Sequence, residues 1–172
     1  MLGKGIHLRC KVCNKVYELT EEGFMRAMEG DTEIAHIPDW YRWQRECAAR
    51  ELAEGTYHLN IAVDIYMMVN TDCVYKVGEG QLIHTTEGFT LTGCDGKLTF
   101  TQPPSASYSL YSDFFWYEIG DVICIGDLKT QYYCFPKTDG DIVAKTRLVT
   151  EELYKMTETA KKSVKGSKIS QS

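Results

Sequence analysis

The sequence lacks the features that mark several large classes of protein. It has no apolar run of the length that crosses a bilayer, which takes about 20 residues, and no charged-then-apolar leader. Its net charge of −5 also argues against the concentrated basic surface that binds nucleic acid. We therefore expect a cytoplasmic protein with no membrane span and no nucleic-acid partner.

Motifs of catalysis and of nucleotide binding are missing as well. There is no G-x-S-x-G elbow to hold a nucleophile, and the GEG stretch lacks the Lys and the Ser or Thr of a phosphate loop. His58 and His84 have no partner implied by spacing, so we expect both to be surface or cross-strand residues. A free-standing enzyme, which would need pairs such as His36 with Asp39 or His58 with Asp64, is the least favoured interpretation.

The composition is that of an ordinary folded domain. The chain has 172 residues, of which 44% are hydrophobic and 25% charged, so it can bury a core. Its seven cysteines are an odd number scattered through strand-like segments, which indicates reduced thiols rather than a disulfide framework. We expect one domain, or a medium domain with a small attachment.

The stretch RCKVCNKVYEL gives Cys10 and Cys13 the Cys-x2-Cys spacing of a zinc knuckle. Short β-prone runs flank the pair, which predicts a two-stranded, zinc-ribbon-like unit over residues 1–36. This unit has few large apolar residues, and a bound metal would compensate for its small core. Structural zinc takes four Cys or His ligands, but the sequence has no second Cys-x2-Cys.

The remaining zinc ligands are left open by the sequence. His36 and Cys47, which lie at the start and on the inner side of the next helix, are the further candidates, together with His7. Zinc bound at Cys10 and Cys13 and a metal-free turn are the two main alternatives. A redox pair is the third, and it is disfavoured because such pairs usually open a helix after a strand. Apart from zinc, no cofactor is implied.

The segment IPDWYRWQRECAARELAEG predicts an amphipathic linking helix over residues 37–55. Pro38 and Asp39 suit its first turn, and Gly55 suits its end. Helical spacing puts aromatic and apolar side chains on two adjacent stripes, which indicates core packing. One stripe holds Trp40, Trp43 and Cys47, and the other holds Tyr41, Ala48 and Leu52.

From Thr56 onward, short β-rich runs alternate with Gly, Asp and Asn, and a helix follows Thr150. The fold class that we expect is α+β, mainly antiparallel β. Over residues 56–162 we expect about seven strands in a pleckstrin-homology-like barrel with a C-terminal helix. The alternative is a β-sandwich with the helix packed on its face. Residues 163–172 are expected to form a flexible tail.

The most aromatic stretch is SASYSLYSDFFWYEIGDVICIGD. Its aromatic residues are Tyr108, Tyr111, Phe114, Phe115, Trp116 and Tyr117. The favoured interpretation is a core strand pair, because strand geometry turns alternate side chains to opposite faces. The alternative is a surface that binds a partner protein.

Several of these runs resemble one protein family. HIPDWYRWQREC, GTYHLNIAVDIYMMVNT, VYKVGEGQLIHTTEGFTLTG, SLYSDFFWYEIGDVICIGD and YYCFP are similar to the C-terminal extension behind the catalytic domain of some Firmicutes 1-acyl-glycerol-3-phosphate acyltransferases. The resemblance spans nearly the whole chain. These enzymes of phospholipid biosynthesis use a His-x4-Asp pair, and none of the four histidines here has an aspartate at that spacing.

The resemblance therefore implies a non-catalytic accessory domain that scaffolds or positions the enzyme. Its expected partner is its own N-terminal catalytic domain, with the Cys10–Cys13 unit at the junction. Weak contact with the inner face of the membrane would come from lysines near the C-terminus. These are Lys161, Lys162, Lys165 and Lys168. A lipid-headgroup or protein-binding module is the alternative, although Lys76 is essentially the one basic residue that the first two predicted barrel strands offer for a phosphate.

Overall fold

The computed structural model describes residues 2–70, 73–138 and 142–169. Within these ranges the chain forms two antiparallel β-sheets and two α-helices, one of them C-terminal, so the predicted α+β class with mainly antiparallel strands is confirmed. The helices are α1 (Ile37–Ala53) and α2 (Ile142–Ile169). No helix in the described ranges is long and apolar enough to cross a membrane.

The first sheet, called the small sheet below, has four strands among the described residues rather than the predicted two, in the order β1-β2-β3-β4. They are β1 (Leu2–Lys4), β2 (His7–Arg9), β3 (Val16–Leu19) and β4 (Met25–Ala27). Gly5 and Gly23, both with positive φ, make two of its turns possible. The sequence did not reveal β1 and β4 because each is three residues long and lies in a polar, glycine-containing stretch.

The second sheet, the large sheet, has seven strands in the part of the chain that the structure describes, in the order β8-β7-β6-β5-β11-β10-β9. Its strands are β5 (Leu59–Met68), β6 (Val74–Thr85), β7 (Gly88–Gly93), β8 (Leu98–Gln102), β9 (Tyr111–Trp116), β10 (Gly120–Gly126) and β11 (Gln131–Pro136). The sheet is not closed, so the pleckstrin-homology-like barrel is not confirmed. It is also one sheet, where the alternative β-sandwich would have two.

The core of the large sheet follows the strict alternation of β5. Ile61, Val63 and Ile65 are buried and pack with residues of β6, β7, β10 and β11, whereas the alternate positions of β5 are less buried. A 3-10 turn, Pro104–Ala106, follows β8 and contacts α2. Asp95 and Gly96, both with positive φ, lie in the turn between β7 and β8.

Helix α1 connects the two sheets and contributes to a hydrophobic cluster at each end. Near its start Trp40 packs edge-on against Tyr17 of the small sheet, with ring centroids 4.9 Å apart. Near its end Ala48 and Leu52 pack against α2. The predicted stripes are therefore divided between two cores, and Trp43 remains 40% exposed.

Ion pairs fix α1 against α2 between these two clusters. Arg45 binds the carboxylates of Glu151 and Glu152, the second at 2.6 Å, and Ser109 Oγ donates to Glu151 at 2.8 Å. Burial raises the pKa of Glu151, but the hydrogen bonds from Arg45 and Ser109 outweigh burial and hold this pKa below its ordinary value. Both carboxylates are thus held ionised at the helix contact.

His84 is buried in the large sheet, where the sequence predicted a surface or cross-strand position. Its side chain is stacked on Phe89, the residue opposite in the adjacent strand, with ring centroids 3.7 Å apart. A hydrogen bond of 3.0 Å joins its Nδ1 to the hydroxyl of Tyr57. Burial lowers the pKa of His84 to about 3, so the ring is neutral in the folded protein. The cross-strand alternative is confirmed and the surface alternative is wrong.

Helix α2 begins at Ile142, before Thr150, after which the sequence predicted its start, so that prediction is wrong. The helix continues to Ile169, past residue 162, where the sequence predicted its end. Its first half is the buried part, with Val143, Leu148, Val149 and Leu153 in the two hydrophobic clusters that it contacts. Residues 170–172 of the predicted tail lie outside the described residues. The flexibility of that tail stays a prediction.

Replacing Arg45 by methionine should destabilise the protein by about 2 kcal/mol, because Glu151 and Glu152 would lose the cation that offsets their burial. The free energy of unfolding measured in urea checks this. Arg42→Met is the matched control, since Arg42 forms an exposed i,i+3 pair with Asp39 on the same helix and should contribute less than about 0.5 kcal/mol. Equal losses in the two variants would contradict the prediction.

Acidification should destabilise the fold through His84. The unfolded chain binds a proton with a pKa near 6.5, whereas the folded chain resists protonation down to about 3. The stability due to neutral His84 is therefore complete above about pH 6.5 and falls by about 1.4 kcal/mol per pH unit below it. Urea unfolding between pH 6.5 and 5, above most carboxylate titration, measures this slope.

The His84→Gln variant should be less stable overall but should lose most of that pH dependence. The His58→Gln variant is the control, because His58 is exposed and its replacement should leave the slope unchanged. An unaltered slope in His84→Gln would show that another group causes the acid sensitivity.

Candidate metal centre

Cys10 and Cys13 lie in the turn that connects β2 to β3. The backbone N–H of Cys10 donates to the carbonyl of Lys15 at 2.8 Å, and the N–H of Asn14 donates to the carbonyl of Cys10 at 3.0 Å. Asn14 has φ of 61°, a left-handed conformation that Asn tolerates and that closes the turn just after the second cysteine. Cys10 is half-buried, Cys13 is exposed, and Val12 at the tip is 93% exposed.

The turn favours a thiolate at Cys10. Hydrogen bonding from the backbone of Cys13 and Val12 and from the side chain of Cys13 holds the pKa of the Cys10 thiol below its ordinary value. The thiolate, and not the thiol, is the form that ligates zinc. The arrangement thus suits a metal ligand at Cys10.

The other predicted ligands are held elsewhere. The imidazole of His36 packs edge-on against Phe24 at 5.1 Å, and His7 is exposed in β2, opposite Glu18. Arg50 Nη2 lies 3.6 Å from the sulfur of Cys47 on α1. In the described ranges no group of three or more His, Cys, Asp or Glu side chains is placed to hold a metal ion. The residues present fit two positions of a four-ligand zinc site, and zinc binding stays a prediction.

A cavity of about 570 Å³ opens beside the cysteine turn, between it, α1 and the start of α2. Cys10 and Cys47 both line this cavity, and their joint ligation of zinc stays a prediction. Trp43 and Tyr57 contribute aromatic surface to it. An ion pair between Lys145 and Glu51, 2.7 Å long, lies at its margin. This cleft is a space that an apolar group with a polar end fits.

A polar network on the other side of the turn holds it in place. Glu33 accepts hydrogen bonds from Lys15 at 2.6 Å and from the hydroxyl of Tyr17 at 2.5 Å. These two bonds lower the pKa of Glu33 to about 2, while burial and the neighbouring carboxylate raise the pKa of Tyr17 to about 12. Glu33 also lines a smaller cavity of about 190 Å³ with both cysteines. The sequence did not indicate Glu33, since no spacing relates it to Cys10 or Cys13.

The aromatic stretch divides between core and surface. Trp116 is stacked on Tyr133 with ring centroids 4.4 Å apart, as the core interpretation predicts. Four other aromatic side chains are more than half exposed, which the surface interpretation predicts; they are Tyr108, Tyr111, Phe115 and Tyr117. Phe115 and Tyr117 have positive φ, a conformation that is strained for bulky residues and that the β9–β10 turn imposes. The side chain of Phe114 lies outside the described residues.

The carboxylates named for a free-standing enzyme are bound by cations. Asp39 pairs with Arg42 at 3.0 Å, and Asp64 pairs with Lys76 at 3.0 Å and with Lys137 at 2.9 Å. His58 is exposed just before β5. The described contacts therefore do not bring together the histidine–aspartate pairs that the enzyme interpretation requires.

All seven cysteines are free thiols, as the sequence predicts, and they differ in environment. Cys124 and Cys134 are buried in β10 and β11, and burial raises the pKa of Cys124 to about 12 and that of Cys134 further. Both therefore behave as small inert apolar side chains. Cys13 and Cys73 are exposed, and Cys10, Cys47 and Cys94 are half-buried.

Alkylation with iodoacetamide should reflect these environments. In chelator-treated protein at neutral pH, Cys10 and Cys13 should react at least tenfold faster than Cys124 and Cys134, which should react on unfolding. Peptide mapping by mass spectrometry measures each rate. The same Cys10 peptide in urea is the control, and its alkylation should require a higher pH than in the folded chain. Identical pH dependence in both states would contradict the described turn.

A scan of protein-family models, a comparison with curated proteins and a comparison with solved structures each find no match for this chain.

Proposed function

We propose that this chain is a non-catalytic accessory domain of a phospholipid-biosynthesis acyltransferase that positions its own N-terminal catalytic domain. The observation that carries the proposal is the position of HIPDWYRWQREC, the most distinctive run in the resemblance. It forms the start of α1, where Trp40 completes the core of the small sheet and Arg45 binds the carboxylates of α2. This run therefore links the small sheet to α2, and a domain that scaffolds an enzyme requires such a link between its parts.

The exposed aromatic side chains supply the docking surface for the catalytic domain. Tyr111, Phe115 and Tyr117 are each more than half exposed, and Ile119 beside them is 44% exposed. Tyr111 and Phe115 lie in β9, an edge strand of the large sheet, and Tyr117 and Ile119 follow it, so backbone hydrogen-bonding groups accompany the apolar patch. We define these four residues as the aromatic patch. Such patches on otherwise ordinary surfaces mark sites that another protein covers.

The fold that we propose for the second part of the chain is a pleckstrin-homology-like barrel that is open at one corner. Support comes from two register shifts, at Ile65–Tyr66 and at Gly120–Val122, which bend strands as β-bulges do. A further sign of strong curvature is that residues Val122, Ile123, Cys124 and Ile125 of β10 are all buried, so both faces of this strand are covered. Helix α2 follows β11 and packs against β9 and β10, and this contact also supports the proposal.

Lipid-headgroup binding is the weaker candidate. The one lysine that the first barrel strands offer, Lys76, is bound by Asp64 and by Glu79, both near 3 Å, and these acidic partners would repel a phosphate. Lys161 on α2 is likewise paired with Glu158 at 2.8 Å. These contacts favour a protein partner over an anionic lipid.

The coding sequence upstream of this chain provides the first test. An acyltransferase domain with a His-x4-Asp motif should be encoded in frame before it, and this domain, expressed separately, should bind the chain in isothermal titration calorimetry. The Phe115→Ser/Tyr117→Ser variant should weaken that binding at least tenfold, about 1.4 kcal/mol, by removing half of the aromatic patch.

Leu128→Ser is the matched control for this binding experiment. Leu128 is fully exposed and apolar but lies in the β10–β11 turn, at the opposite end of β10 from Phe115 and Tyr117, and its replacement should leave the affinity unchanged. An upstream sequence that encodes another class of protein, or full affinity in the double variant, would refute the proposed function.

A further inference from the structure

We propose that Cys10 and Cys13 form half of a zinc site, and that a second copy of the chain completes it with the same two cysteines. The site would join two chains at their β2–β3 turns through four sulfur ligands. This inference concerns assembly and does not depend on the proposed acyltransferase partner.

The turn has the shape of a two-ligand clamp. Its two backbone hydrogen bonds, from Cys10 to Lys15 and from Asn14 to Cys10, fix the loop, and the left-handed Asn14 reverses the chain directly after Cys13. Both cysteines line the same cavity of about 190 Å³, so their side chains border one space. A tight turn that carries two cysteines is the usual way in which a protein presents two of the four tetrahedral ligands of zinc.

The cysteine pair can be reached from outside the chain, although Cys10 also lines the cleft beside α1. Cys13 is exposed and Val12 is 93% exposed. The in-chain alternatives are engaged elsewhere, with His36 against Phe24 and Cys47 beside Arg50. Ligands that approach from outside therefore reach the two remaining positions without any rearrangement of the fold.

A second copy of the chain would supply the two missing zinc ligands, and its charge and apolar contact also suit the site. Two copies supply four thiolates, and their charge with Zn²⁺ leaves the centre at about −2. Lys11, exposed between the two cysteines, adds one positive charge from each copy and so offsets that excess. A two-fold axis through the metal would also bring the two exposed Val12 side chains together, which gives them an apolar neighbour in place of water.

The experiment measures metal content and mass on the same sample. The chain is dialysed against zinc, freed of excess ion, and analysed for zinc per chain by elemental analysis and for molar mass by light scattering. The expected result is about one zinc ion per two chains and a dimer, which a chelator converts to monomer. X-ray absorption should report four sulfur ligands at about 2.3 Å.

Three variants make the outcome decisive. Cys10→Ser/Cys13→Ser should bind no zinc and remain a folded monomer by circular dichroism, while Cys73→Ser, an exposed cysteine elsewhere, and Cys47→Ser should behave as the parent chain. One zinc per monomer that is lost in Cys47→Ser would establish an in-chain site and overturn the proposal. Folded protein that binds no zinc would overturn it as well, and so would a dimer that survives in the double-serine variant.

Discussion

One helix must complete two hydrophobic cores, and the arrangement of the molecule depends on this constraint. The small sheet is built from strands of three or four residues and buries few large side chains of its own, so it relies on Trp40 of α1. The indole N–H donates to the carbonyl of Ile34 at 2.9 Å, which fixes the orientation of the ring against Tyr17. The far end of α1 packs on α2 through Leu52. The cysteine turn is therefore held at a set position relative to the large sheet.

The cysteine turn gains further rigidity from the residues around it. Glu33 accepts hydrogen bonds from both Lys15 and Tyr17, which ties the start of β3 to the loop before α1. Such second-layer contacts orient ligand-bearing segments, because the ligands then need little ordering when a metal binds. Trp43 and Cys10 both line the two cavities beside the turn. The position of the two thiols is thus a property of the packing and not of the two cysteines alone.

Local signals predicted much of the secondary structure, whereas long-range contacts decided the rest. Pro38 and Gly55 marked α1 to within two residues, since a terminus depends on local backbone chemistry. His84 shows where such reasoning fails. His84 points to the same face of β6 as the buried Leu82, but its polarity suggested exposure. The aromatic pocket that accepts its ring is formed by Tyr57 and Phe89, which lie in other segments of the chain. Strand order and the orientation of His36 likewise depend on partners that no spacing encodes.

The pairing of β5 with β11 has a consequence for how the chain is made. Strands β5 to β8 are consecutive hairpins, as are β9 to β11, so each half can form from local contacts. The seam between the halves, where Ile65 lies opposite Cys134, needs residues far apart in sequence. During synthesis β5 therefore remains an unpaired, largely apolar edge until β11 has left the ribosome. The interval between these two events is when the nascent chain is most exposed to aggregation and most in need of a chaperone.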